Sequence, residues 1–422
     1  MRLPGTTAAV LLTGVLGLAG CAGGTSRPAG ATLRLGVDLP LSGADGASGR
    51  PALNGIRLAL ADAHNQVAGH PLVLDVRDDA VAGRHDPGLG AANTTAFVAD
   101  TRVLALVGPL NSNVARAVIP VAAPARLAIV SPSSSDECLT EDLPAPECDY
   151  QASVLRAGNP NAYFRLSATD RRQGEAAAQY ARTALGLGKV AAASDSSPYG
   201  DLLLTTFVAT FQARGGALAV PAKRLNLTDQ AGLHAFAAQA AAAGAQALFL
   251  GGVDTNGACT VRSLLAQDLP GAFIGGDALL TRRCLVDAAG ASPGMLAVSL
   301  APDPTHLPGA ADVLRRFADH YPHPGDYGAQ SVPAYVATSV VLHALARAVA
   351  AAHGGVPTRE AVRAAVAATS GLSSPLGPIS FTPAGDVVAP LVAVYESGVG
   401  AGLTGGVGGI DWGFRADLRL PG

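Results

Sequence analysis

A chain of 422 residues exceeds one ordinary domain of about 100 to 200 residues and points to two. Its 49% hydrophobic and 14% charged composition excludes general disorder, which needs low hydrophobicity and high charge. A formal net charge of -3 with no basic run, and only 10 Phe, 8 Tyr and 1 Trp, argue against a nucleic-acid partner and against a cleft that stacks sugars or single strands.

In chain order, Arg2 precedes an apolar stretch, Ala8 to Gly20, that is shorter than the roughly 20 residues a bilayer span needs. Residues 1–20 read as an export signal. The stretch ends Leu18-Ala19-Gly20-Cys21, which resembles the bacterial lipobox, so Cys21 is expected to carry a lipid anchor; an ordinary cleaved signal and an unprocessed anchor are the alternatives. Residues 21–31 form a flexible tether, because Gly, Ser and Pro bury nothing. The mature protein is expected outside the cytoplasmic membrane, touching it through the anchor alone. Setting Cys21 aside leaves Cys138, Cys148, Cys259 and Cys284, an even number in an oxidising compartment, and two disulfides are expected. Of three connectivities the local one is preferred, Cys138 with Cys148 and Cys259 with Cys284. With no CxxC spacing and scattered histidines, no metal site is expected.

Apolar runs and helically spaced apolar residues then alternate. Strand 33–39 is followed by helix 51–65, strand 72–76, helix 90–100, strand 103–107, helix 113–126 and strand 128–131. After the Cys138 to Cys148 loop come strand 163–166, helix 172–185, strand 189–194, helix 199–214, strand 217–221, helix 230–243, strand 247–250, helix 256–266 and strands 272–275 and 295–299. Helices over 310–320, 333–352 and 358–369 precede strands 378–381 and 387–395, and residues 397–422 read as a loose, glycine-rich tail. Repeated βα units with continuous apolar strands predict an α/β protein of two doubly wound parallel-sheet lobes.

In such sheets the carboxyl ends of the strands face the ligand crevice, and helix N-termini there offer unpaired N–H groups. In the first lobe the loops at those ends are Leu41-Ser42-Gly43, Gly108-Pro109-Leu110-Asn111-Ser112-Asn113 and Ser131-Pro132-Ser133-Ser134-Ser135. In the second they are Asp195-Ser196-Ser197-Pro198-Tyr199-Gly200, Gly251-Gly252-Val253-Asp254 and Gly275-Gly276-Asp277. One serine-rich loop is more often a turn or a cap than a site. Their shared position after successive strands is what marks them.

These loops, in this order and spacing, resemble the type I periplasmic binding proteins of the branched-chain amino acid transport family over roughly residues 32–396. The match is carried by Leu39-Pro40-Leu41-Ser42-Gly43, Val107-Gly108-Pro109, Val130-Ser131-Pro132-Ser133-Ser134, Pro198-Tyr199-Gly200, Phe249-Leu250-Gly251-Gly252 and the stretch from Gly377-Pro378-Ile379-Ser380-Phe381 through Gly385. The resemblance implies lobes interleaved by three hinge crossovers, one at 32–164 plus 301–372 and the other at 165–300 plus 373–396. It also implies that Ser112, Ser133 and Ser135 bind a ligand carboxylate, that Asp277 receives an ammonium, that Tyr199 closes from the second lobe, and that Val253 and Asp254 border the ligand. The family often has an aromatic near the position of Ser48, where this chain has none, and a member has a Cys after the residues matching Asp78-Asp79, which this chain lacks.

Against an enzyme, no GxSxG elbow or P-loop occurs. The stretch Gly400 to Gly405 matches GxGxxG, but no helix is expected after it, so it lacks the context of a dinucleotide site. The expected function is a monomeric lipoprotein that needs no cofactor, captures a small solute by hinge closure and hands it to an ABC permease and its ATPase. By the resemblance the solute is an amino acid of branched-chain type. An amide or urea-type solute, or a ligand-free interaction or regulatory lipoprotein of the same fold, are the alternatives.

Overall fold

The computed structural model describes residues 1, 30–144, 148–323, 325–399 and 407–420. Nearly all of the expected signal and tether, Cys21 among them, and the Gly400 to Gly405 match lie outside the described residues.

The chain opens with β1 (Leu33–Leu39), α1 (Gly46–Asp62), β2 (Gln66–Val67), β3 (His70–Asp78), β4 (Ala80–Val81), β5 (Arg84–His85) and α2 (Pro87–Ala99). It continues through β6 (Val103–Val107), α3 (Ser112–Ala122), β7 (Ala128–Ser131), α4 (Ala152–Arg156) and β8 (Tyr163–Arg165). The first sheet has the order β2-β3-β1-β6-β7-β8 and is parallel apart from β2. Every residue of Val103–Val107 is buried, as a strand covered on both faces requires.

The second series is α5 (Asp170–Thr183), β9 (Lys189–Ser194), α6 (Pro198–Ala213), β10 (Ala217–Leu218), β11 (Lys223–Arg224), α7 (Gln230–Ala242), β12 (Ala247–Gly251), α8 (Ala258–Leu265), β13 (Ala272–Gly275), α9 (Arg282–Asp287) and β14 (Met295–Val298). Its strands lie in the order β10-β9-β12-β13-β14, with β11 also beside β9. The chain then returns: α10 (Ala311–His320), α11 (Ser331–Ala351) and α12 (Arg359–Ala367) join the first lobe, packing among α1, β6 and β7. A third crossing leads to β15 (Leu391–Val399) and β16 (Ile410–Arg419), which extend the second sheet antiparallel beyond β14.

Leaving out the small β2, each parallel sheet follows the same doubly wound order, with a switch point between β1 and β6 in one and between β9 and β12 in the other. Apolar clusters lie on both faces of each sheet: α1, α11 and α12 cover one face of the first and α2 and α3 the other, while α7 to α9 and α5 with α6 do the same for the second. By length and hydropathy α11 would suit a bilayer span, but more than half of its most apolar window is buried against α1 and the first sheet.

Three departures from the predicted elements have local causes. Helix α1 starts at Gly46 rather than at Pro51, because Gly46 and Gly49 let its first turn lie against the β1 loop; a Cβ on Gly49 would sit 1.9 Å from the Pro40 carbonyl oxygen. Residues 378–381 form only isolated bridges, Leu372 to Ile379 and Phe381 to Val387, where Pro378 has no N–H to give a ladder. The third correction concerns the tail. Residues 410–419 are not loose but make a full strand paired along β15, and Trp412 is completely buried. A one-residue irregularity at Arg415 rotates the strand, so Ile410, Trp412 and Phe414 pack on the α7 to α9 face while Leu418 and Leu420 pack on the other.

Both disulfides form as the local pairing expected. Cys138 joins Cys148 and Cys259 joins Cys284, with Cα atoms 5.7 and 5.2 Å apart, inside the range a disulfide spans.

Candidate functional site

The loops after β6 and β7 hold one another through serine hydroxyls. Ser131 Oγ donates to the Pro109 carbonyl at 2.7 Å and Ser133 Oγ to the Leu110 carbonyl at 2.9 Å. Ser112, the first residue of α3, accepts from the N–H groups of Ser135 at 3.1 Å and Asp136 at 3.3 Å. Gly108, at φ +113°, passes the Asp38 carbonyl where a Cβ would come within 2.1 Å, so the start of the loop after β6 lies against the end of β1.

Arg165, at the end of β8 and fully buried, locks this loop to the third crossover. Its Nε donates to Asp386 Oδ1 at 2.6 Å, Nη1 to the Asp136 carbonyl at 2.6 Å, and Nη2 to Thr140 Oγ1 at 2.6 Å.

From the second lobe, Asp277 Oδ1 accepts from Gln173 Nε2 at 3.0 Å and lies 2.9 Å from the Tyr199 hydroxyl, which also lies 2.8 Å from Gln173 Oε1. Gln173 is itself anchored to the Val298 carbonyl at 2.7 Å. Asp277, half-buried at the cleft, stands beside two buried carboxyls, Asp170 and Glu137. Burial drives all three above the usual carboxylate range. Asp170 is pushed further by Glu137 and then by Asp277. Oδ1 of Asp170 and Oε2 of Glu137 have no hydrogen-bond partner, while Glu137 Oε1 accepts from the Arg171 N–H. The Asp170 N–H meets the Ser135 carbonyl at 3.1 Å, so carboxyls and serine loop touch across the join of the two lobes.

A cleft of about 790 Å³ opens between the lobes. Of the seven residues expected at the ligand, Ser133 and Asp277 line it. Ser112, Ser135 and Tyr199 stand behind them in the contacts just described. Val253 and Asp254 do not face the cleft: the Val253 N–H donates to Asp195 Oδ2 at 3.1 Å, and Asp254 Oδ2 accepts from Thr281 Oγ1 at 2.7 Å, leaving Thr281 as the lining residue. The turn after β12 aims both residues sideways toward the loops after β9 and β13. Ser48 does line the cleft.

Gln173 falls within the expected helix 172–185, where nothing singles it out, and Asp170 falls before that helix. The signal was present: Thr169 is the N-cap, accepting from the Arg172 N–H, and Asp170 follows it in the first turn. The crossing segment Ser299 to His306 and the β16 residues Trp412 and Phe414 also line the cleft, and no reading that treated the C-terminus as loose could include the latter.

Two doubly wound lobes joined by three crossovers, with polar groups from each facing one cleft, define a hinged solute-binding protein. Residues 32–397 match the periplasmic binding protein family, and the chain belongs to that family. A Leu/Ile/Val-binding protein of Rhizobium johnstonii is 26% identical over 371 residues, 87% of this chain and 92% of the relative. Among solved structures, the leucine binding protein LivK of Thermotoga maritima is similar at TM-score 0.69 and 22% identity, covering 92% of this chain and 99% of that one. A solute binding protein of an ABC transporter from Rhodopseudomonas palustris, solved in complex with p-hydroxybenzoic acid, has TM-score 0.70 and 20% identity over 92% and 97% of the two chains.

Proposed function

We propose that this protein is the extracytoplasmic, lipid-anchored receptor of an ABC importer, and that its cleft captures a free amino acid. The observation that carries the reading is Asp277 at the cleft, backed by the buried carboxyls of Asp170 and Glu137 and set against a serine loop. A desolvated cluster with unpartnered carboxyl oxygens favours a cation, and an ammonium bound there would return the carboxyls to their charged forms. The N–H groups and hydroxyls around Ser133 and Ser135 would exchange the loop contacts they make here for the carboxylate at the other end of the same ligand. Because the two ends are served from different lobes, ligand binding favours the closed form, which is what a permease would read. The named Leu/Ile/Val-binding relatives support an amino acid, and the neighbour holding p-hydroxybenzoic acid is consistent with a carboxylate as the common handle. Delivery goes to a permease with its ATPase, and the receptor works as a monomer. Cys21 carries the anchor, so mass spectrometry of the mature N-terminus should find a diacylglyceryl Cys21.

Calorimetry with a panel of amino acids, amides and urea tests the site. Asp277→Ala should weaken binding by about 3 kcal/mol or more, because a buried ammonium loses its partner. Ser133→Ala should cost about 1 to 2 kcal/mol, since neighbouring N–H groups still hold the carboxylate. Unchanged affinity in Asp277→Ala would refute the amino-acid assignment in favour of an uncharged solute. Binding of none of the panel would favour a partner protein instead.

A further inference from the structure

Four rings line the cleft. Tyr327, in the segment before α11 on the first-lobe side, is 37% exposed and meets Phe317 edge-on at 5.3 Å between centroids. His306 of the second crossing segment stacks on Phe414 of β16, with centroids 3.7 Å apart and planes 13° from parallel. Tyr395 backs Phe414 edge-on at 6.3 Å, and its hydroxyl donates to Asp303 Oδ2 at 3.0 Å. The same Asp303 oxygen lies 3.7 Å from His306 Nδ1, which pairs with Thr305 Oγ1 at 3.0 Å, and the imidazole side chain is 48% exposed. Tyr327, His306, Tyr395 and Phe414 all line the cleft.

We infer that the solute carries a planar ring, held between Tyr327 of the first lobe and the His306–Phe414 stack as the lobes close. The inference rests on the amino-acid reading in one respect only: with an ammonium in the carboxyl pocket, the ligand is an aromatic amino acid rather than a branched aliphatic one. A ring entering this gap replaces water on exposed ring faces and gains offset or edge-on contacts from two sides, a geometry aliphatic groups cannot use. Hinge closure brings the two platforms together, so the ring adds to the affinity of the closed form in particular.

The experiment is calorimetry on the full chain and on Tyr327→Leu and His306→Leu, with leucine, phenylalanine, tryptophan and p-hydroxybenzoate as probes and thermal unfolding to confirm folding. Phenylalanine or tryptophan should bind at least tenfold more tightly than leucine. Each variant should lose about two- to tenfold for the ring-bearing ligands, the weight of one aromatic pair, and leave leucine within twofold. Tighter binding of leucine than of either aromatic amino acid, or equal weakening of leucine and phenylalanine in both variants, would overturn the ring subsite while the amino-acid reading stands. Binding of p-hydroxybenzoate alone, weakened in the variants, would uphold the ring subsite and overturn the amino-acid reading. Binding of none of the three ring-bearing probes would overturn the inference.

Discussion

Replacing Asp38 by Asn should stabilise this protein at neutral pH and flatten its pH dependence. Asp38 lies fully buried near the end of β1, where Oδ1 accepts from Asn93 Nδ2 at 2.8 Å and Oδ2 has no partner. Asp79 beside it is equally buried, with neither oxygen paired. Burial first, and then repulsion from Asp79, push Asp38 up to about 8; burial and then Asp78 push Asp79 up to about 7. Between the unfolded value of 3.8 and about 8 the folded protein holds a proton on Asp38 that the unfolded chain has released. Stability from this group is therefore fully present below pH 3.8 and is lost as pH rises through about 8. The displacement from 3.8 to about 8 corresponds to roughly 5 to 6 kcal/mol, or about 1.4 kcal/mol per pH unit. Asn keeps the acceptor for Asn93 and carries no charge to desolvate. Urea unfolding of both proteins between pH 5 and pH 8 measures the effect. The variant's advantage should grow by about 1 kcal/mol per pH unit, somewhat below the full slope because Asp79 titrates alongside. Parallel stability curves for the two proteins would refute the reasoning.

Three further expectations follow from contacts described above. Arg165→Leu removes the guanidinium from buried contact with Asp386 and takes one of their donors from the Ser134 and Asp136 carbonyls, and should cost about 3 to 5 kcal/mol by chemical denaturation. Trp412→Ala empties the fully buried ring site and removes the bond from Nε1 to the Thr281 carbonyl, so about 3 to 5 kcal/mol of stability should go, with proteolysis at β16 as a second readout. Opening the Cys138–Cys148 crosslink, which spans 10 residues, with a double Ser substitution should cost about 2 to 3 kcal/mol, and the Cys259–Cys284 crosslink, spanning 25, about 3 to 4 kcal/mol. Thermal midpoints of the two double variants test that order.

The parallel strands were legible because burial on both faces demands uninterrupted apolar runs, and Val103–Val107 and Ala247–Gly251 contain little else. Ser133 and Asp277 were legible as cleft residues because a doubly wound sheet fixes which loop ends face the crevice, whatever the loop contains. Val253 and Asp254 share that position, yet their side chains turn aside; loop position does not encode direction when neighbouring acids such as Asp195 compete for the backbone. The carboxyl group of Glu137, Asp170 and Asp277 was hidden for another reason. Its members come from three segments far apart in sequence, and only the crossing of the chain between lobes brings them together. Strand β16 was obscured by the glycines before it, although Ile410, Trp412 and Phe414 alternate with polar or small residues as a half-buried strand should.

Strand β16 also bears on how the molecule is made. The first lobe has only α1 over one sheet face until α11 and α12 have been synthesised, and the second leaves the outer edge of β15 unpaired until the chain has passed Arg419. Neither core can close on a growing chain, and long-range contacts of this kind form slowly. A nascent polypeptide of this topology stays open for almost the whole of its synthesis, which is the state a protein secreted through a narrow channel needs. Chains ended after Val399 should accordingly be cut readily by protease within the second lobe, whereas chains carried through Leu420 should resist.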